Sequence, residues 1–129
     1  MVPFAGYEMP VNYPEGIIKE HMHCRESVGL FDVSHMGQLN IHGKDAAAFL
    51  EYITVVDTQA LTPGRASLSL IMNEKGGIKD DTIVTKVADD RFFVVVNGAC
   101  KDADFAHMQQ VLGTTFKGKD VNISFIDDH

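Results

Sequence analysis

Cysteine is scarce in this sequence. Only Cys24 and Cys100 occur, far apart, too few for a disulfide framework and at a spacing that matches no zinc pattern. They read as reduced, partly buried thiols. Positive charge is scarce as well: 11 Lys and Arg stand against 18 Asp and Glu, a net charge of −7. Proteins that grip a phosphate backbone concentrate basic side chains on one face. No such cluster is present, so nucleic acid is excluded as a partner. Long apolar runs are also missing. No stretch approaches the roughly 20 residues of a membrane helix, and no signal peptide or Arg-rich transit segment opens the chain. No serine sits in GxSxG, and Gly76-Gly77 lacks the GxGxxG spacing and following helix of a phosphate cradle.

What remains is an ordinary globular composition. With 129 residues and 45% hydrophobic content, the chain supports one domain around one core. Pro10 and Pro14 punctuate an extended entry segment, and Pro14-Glu15-Gly16 suits a helix start. The run from Gly16 to Phe31 then places Ile17, Ile18, His21, Cys24 and Val28 at near-helical spacing, with Gly29 as its end. Residues 37–43 alternate as a short strand. Residues 44–53 form a helix with Ala46, Phe49, Leu50 and Ile53 on one side. Strands are predicted over 65–72, 78–87 and 91–97, the first two joined across Gly76-Gly77 and the last two across Ala88-Asp89-Asp90. A helix follows over 100–112 with Phe105, Met108, Val111 and Leu112 inward, then a strand over 121–126. This order predicts an α+β fold: a mainly antiparallel sheet with helices on one face, close to a ferredoxin-like split β-α-β with extra elements.

Two constellations could carry chemistry. In "HMHC", residues 21–24, His21 and Cys24 stand one helical turn apart, but no second ligand pair exists at matching spacing. No metal is expected there. The adjacent aspartates Asp80 and Asp81 are more informative, since neighbours in a strand point to opposite faces. Asp81 shares a face with Ile83 and Thr85; Asp80 shares one with Ile78, Thr82 and Val84. Period alone leaves open which of them faces a cavity, and a solvated hairpin edge is the ordinary alternative.

Four segments read together go further: "MVPFAGYEMPVNY", "GLFDVSHMGQLNIHG", "SLSLIMNEKGGIKDDTIVT" and "VVVNGACKDADFAHM". In order and spacing they resemble the amino-terminal part of the aminomethyltransferases, the T proteins of the glycine cleavage system. The likeness spans nearly the whole chain, which would be the amino-terminal folate-binding portion over 1–129, with the remainder of the family's chain absent. The resemblance implies transfer of an aminomethyl-borne one-carbon unit from the lipoyl arm of the H protein to tetrahydrofolate, with release of ammonia. It implies Asp81 as the catalytic aspartate facing the folate, with Asp80 as its outward partner. There a carboxylate could orient the attacking nitrogen and stabilise developing positive charge.

The resemblance further implies a folate-lining set of Met36, Leu68, Ile83, Phe93 and Val95, apolar as a flat ring system would want, with Asn97 a polar neighbour. Phe93 stands where the family often has tyrosine. A location follows too: mitochondrial matrix in a eukaryote, bacterial cytoplasm otherwise. Two related readings compete, the folate-binding part of a flavoprotein that demethylates glycine derivatives and a folate-binding relative in iron–sulfur cluster maintenance. The latter group tends to lack the GGIxDD pattern present here. With one wall of the pocket encoded, the chain alone is expected to bind folate poorly, and its exposed apolar wall would favour self-association.

Overall fold

The computed structural model describes residues 1–126 and divides into two compact units, Met1–His35 and Met36–His129. The first unit carries a small hairpin, β1 (Val2–Phe4) against β2 (Tyr7–Met9), and then α1 (Ile17–Glu26). Helix α1 begins after Gly16 and stops short of Gly29, and none of its residues is buried. The helix expected from the spacing forms, ending at Glu26, and it has no buried side. Ile17 and Ile18 are 61% and 80% exposed; adjacent residues sit 100° apart on a helix and cannot build a single stripe. Edge-on ring contacts hold this unit's aromatic cluster, with Phe4 and Tyr7 5.4 and 6.4 Å from the His35 ring. An open cavity of about 1080 Å³ is lined by Tyr13, Lys19, Glu20, His23, Cys24 and Phe31 among others.

The second unit is the α+β body. Its elements are β3 (Gly37–His42), α2 (Ala46–Ile53), β4 (Ala66–Met72), β5 (Ile78–Ala88), β6 (Arg91–Val96), α3 (Lys101–Gly113) and β7 (Asn122–Phe125). The five strands lie in the order β4-β5-β6-β3-β7, and every neighbouring pair is antiparallel. β3 thus separates β6 from β7, which run the same way: β6-α3-β7 is the split β-α-β unit. The extra strand β5 makes the other crossover, β3-α2-β4, join antiparallel strands.

One face of this sheet is closed by the two helices. Leu39, Ile41, Ile71, Val84, Phe92, Val94, Val96 and Ile123 from the strands form one cluster with Phe49, Leu50 and Ile53 of α2 and Met108 and Val111 of α3. Each such side chain contributes roughly 1.5–3 kcal/mol by leaving water. The expected inward faces of α2 and α3 hold, with Phe105 and Leu112 partly buried at the margin.

The β4–β5 reversal shows why both central glycines are there. Gly76 has a φ of 77°, a conformation that costs glycine little. Gly77 has no positive φ; a Cβ on it would stand 2.7 Å from the Asn73 side-chain amide. That amide's Oδ1 accepts hydrogen bonds from the backbone N–H of Lys75 and Gly77, both at 2.9 Å, and so closes the turn.

Candidate functional site

Directly opposed residues of antiparallel strands share a face, and the register sorts the expected site residues. Leu68 pairs with Ile83, Ile83 with Val95, and Val95 with Gln38, one row across four strands. Leu70 pairs with Asp81 in the next row, and Thr85 with Phe93 on the other side. All of these lie on the face opposite the helices. Leu68 is 71% exposed and Ile83 45% exposed, Val95 and Phe93 are half-buried, and Asp81 is exposed. The fold thus gathers Leu68, Asp81, Ile83, Phe93 and Val95 on one open surface. Met36 stands one residue before β3, at the parity of Gln38, and Asn97 directly follows β6.

Strand β5 inverts the usual distribution of polarity. Its helix-side residues include Thr82 and Lys86, 2% and 9% exposed, whereas Ile83 on the open side meets water. The buried polar groups are partnered: Thr82 Oγ1 donates to the Val95 carbonyl at 2.7 Å, and Lys86 Nζ donates to the Thr58 carbonyl at 3.3 Å while pairing with Asp89 at 3.0 Å. Buried polar and exposed large apolar groups are the informative departures from a simple core. On this strand both occur together.

Asp80 is the residue that the structure corrects. It is not the outward member of the pair: it lies on the helix side, half-buried, because the register puts Thr82 and Val84 of the same parity into the core. Asp81 is the aspartate on the open face. The two are joined by Asn97, whose Nδ2 donates to Asp80 Oδ1 at 2.9 Å and to Asp81 Oδ1 at 2.9 Å, with a longer approach of 3.4 Å to the Asp81 carbonyl. The Asn97 backbone N–H also donates to Asp80 Oδ2 at 3.2 Å. An amide NH₂ has two hydrogens, and here each serves one carboxylate. Asn97 is the hinge of the site.

Beneath it lies a residue that sequence reasoning missed. Asp104, in the first turn of α3, is 1% exposed. Burial, and the hydrogen bond and negative charge of Asp80, push its carboxyl up to about 7. Its Oδ2 meets no hydrogen-bond partner among the described residues. Burial works against the Asp80 charge as well. Donation from Asn97, from the Asp104 carboxyl and from backbone N–H groups outweighs it and holds Asp80 below the usual carboxylate range. The Cys100 thiol is pushed up by burial and by these carboxylates. A signal for Asp104 existed: it stands four residues before Met108 and seven before Val111, on the stripe that faces the core.

In the "FDVSH" segment, Asp32 accepts the Ser34 backbone N–H at 2.9 Å, and hydrogen bonds from Ser34 lower its carboxyl. Among the described residues no group of three or more His, Cys, Asp and Glu side chains could hold a metal ion, and no helix is long and apolar enough to cross a membrane.

Comparison with known proteins fits this layout. The chain is 52% identical over 132 residues to a mitochondrial aminomethyltransferase of Dictyostelium discoideum, covering 99% of this chain and 32% of that protein. It is 48% identical over 125 residues to a mitochondrial aminomethyltransferase of Flaveria trinervia, covering 97% and 30%. A crystal structure of glycine cleavage system aminomethyltransferase T from Bartonella henselae superimposes with a TM-score of 0.88 at 38% identity, over 97% of this chain and 34% of that one. The chain spans about a third of the length of these relatives. The family model described as the GCVT N-terminal domain matches residues 1–129, and the chain belongs to that family.

Proposed function

We propose that this chain provides the folate-facing wall and the catalytic carboxylate of an aminomethyltransferase of the glycine cleavage system. In that enzyme the one-carbon unit passes from the lipoyl-bearing H protein to tetrahydrofolate, with release of ammonia. The observation that carries the reading is the open sheet face: an exposed apolar row with Asp81 at its rim. Leu68, Ile83 and Val95 span two interstrand gaps, roughly 10 Å, the scale of a fused two-ring heterocycle lying flat. Phe93 extends this surface without offering a hydroxyl, and Met36 adjoins its edge.

Bound tetrahydrofolate would supply the nitrogens that take up the one-carbon unit. The chain's own residues then have distinct tasks. The apolar row buries one ring face and excludes water from it. Asp81 accepts a hydrogen bond from, or holds a proton beside, a reacting nitrogen, and its charge favours positive charge developing there. Asn97 fixes Asp81 Oδ1 and leaves the other carboxylate oxygen to the ligand. The names of the relatives support this reading over a demethylating flavoprotein or an iron–sulfur maintenance protein. They also support a mitochondrial location in a eukaryote, with the bacterial cytoplasm as the counterpart. The open sheet face supplies one wall of the site, so the chain alone binds tetrahydrofolate weakly, and the exposed apolar row promotes self-association.

Substitution tests the catalytic assignment. In a full-length chain carrying this domain, assayed with aminomethylated H protein and tetrahydrofolate, Asp81→Asn lowers kcat by about 10²–10⁴-fold. A variant as fast as the parent would remove Asp81 from the mechanism.

A further inference from the structure

We propose that Asp104 is a positioning residue for Asp81, acting from the opposite face of the sheet through Asp80 and the side-chain amide of Asn97. Its bearing on catalysis rests on the function proposed for Asp81; the physical link does not.

The geometry forms a chain of contacts through the sheet. Asp80 and Asp81 point to opposite faces, so they do not orient one another directly. Asn97 reaches both, with equal distances of 2.9 Å to Asp80 Oδ1 and Asp81 Oδ1. Two carboxylate acceptors around one amide group settle its orientation, because the amide oxygen in that place would meet only oxygens. What holds Asn97 there is Asp80, which accepts from both its backbone and its side chain. What holds Asp80 is in turn Asp104, hydrogen-bonded to it and sealed from water.

That last contact depends on a proton. Two carboxyl groups attract each other only while one is protonated; with both ionised they repel. The titratable and charged groups acting on Asp104 are Asp80 and Lys79 from β5, and it lies beside Cys100 at the head of α3. His107, one turn on, is engaged with the Met72 carbonyl at 3.1 Å. Lys79 is too weak an influence to keep Asp104 ionised at neutral pH, since burial and Asp80 outweigh it. Below about 7 the proton is in place and Asp80 stays seated under Asn97. Above it, repulsion displaces Asp80, the amide loses its anchor, and Asp81 loses its fixed orientation.

The test needs no turnover. In the parent chain, the Asn97 side-chain NH₂ resonances and the Asp81 carboxyl carbon shift together with pH, with a midpoint of about 7. In Asp104→Asn, whose amide donates to Asp80 at every pH, that transition disappears. Resonances that stay flat in the parent, or a transition that persists in Asp104→Asn, would overturn the link. A second readout is the pH profile of kcat in the full-length protein. The parent falls about tenfold between pH 7 and pH 8.5, while Asp104→Asn stays level within about twofold. Matching profiles would also refute it. Loss of activity in Asp81→Asn without any coupling in the spectra removes this inference alone; coupling in the spectra with an active Asp81→Asn removes the catalytic reading alone.

Discussion

The two faces of the five-stranded sheet carry similar side chains and meet different fates. Under α2 and α3, Leu39, Ile71, Val84 and Val94 are fully buried. On the other side, a few ångströms away through the backbone, Leu68 and Ile83 remain in water. An alternating strand normally keeps its polar residues for the wet face. In β5 the arrangement is reversed, with Asp80, Thr82 and Lys86 turned toward the helices and Ile83 turned out. The helix face has every reason to be stable by itself; the open face is costly unless something covers it. On the function proposed above, the difference has a use: exposed leucine serves recognition, and buried aspartate supports it.

Equivalent truncations on the two faces should therefore diverge. Leu39→Ala removes a fully buried side chain and is expected to cost about 2–5 kcal/mol of unfolding free energy, measured by urea denaturation. Similar losses at Leu39 and Leu68 would erase the distinction between the faces. A smaller effect comes from pH. The unfolded Asp104 titrates near 3.9 and the folded one at about 7, so between those values the unfolded chain binds fewer protons. Stability is then fully present below the unfolded value and falls as pH rises toward the folded one. Asp104→Asn removes this slope, gaining about 2 kcal/mol on the parent between pH 5 and pH 8. Parallel stability curves would show that Asp104 is not held protonated. Leu68→Ala is expected to change stability by no more than about 0.5 kcal/mol while weakening folate binding in the full-length protein.

Much of this was legible in the sequence, for local reasons. The spacing of Phe49, Leu50 and Ile53 and the alternation in β3 to β6 follow from the two backbone periods, and tertiary packing only confirmed them. Strand period separated Asp80 from Asp81 but could not say which face the helices cover, because Thr82-Val84 and Ile83-Thr85 are about equally apolar. That choice is made by Leu39, Ile71 and Val94 on neighbouring strands, through the register. Family resemblance marked Asp81 and its apolar neighbours, yet it assigned Asp80 outward. Asp104 escaped because a charged residue in the first helical turn ordinarily faces solvent and favours the helix dipole. Helix α1 was legible from its spacing, but spacing alone does not bury Ile17 and Ile18, which need a partner surface.

The most direct measurement is a nitrogen–proton spectrum of this chain titrated with tetrahydrofolate at millimolar concentration. The account predicts weak binding, with a dissociation constant well above micromolar, and shifts concentrated at Leu68, Asp81, Ile83, Phe93, Val95 and the Asn97 side chain. Shifts gathered instead around the cavity beside Tyr13 and His23, or a micromolar site that spares the open face of the sheet, would contradict it.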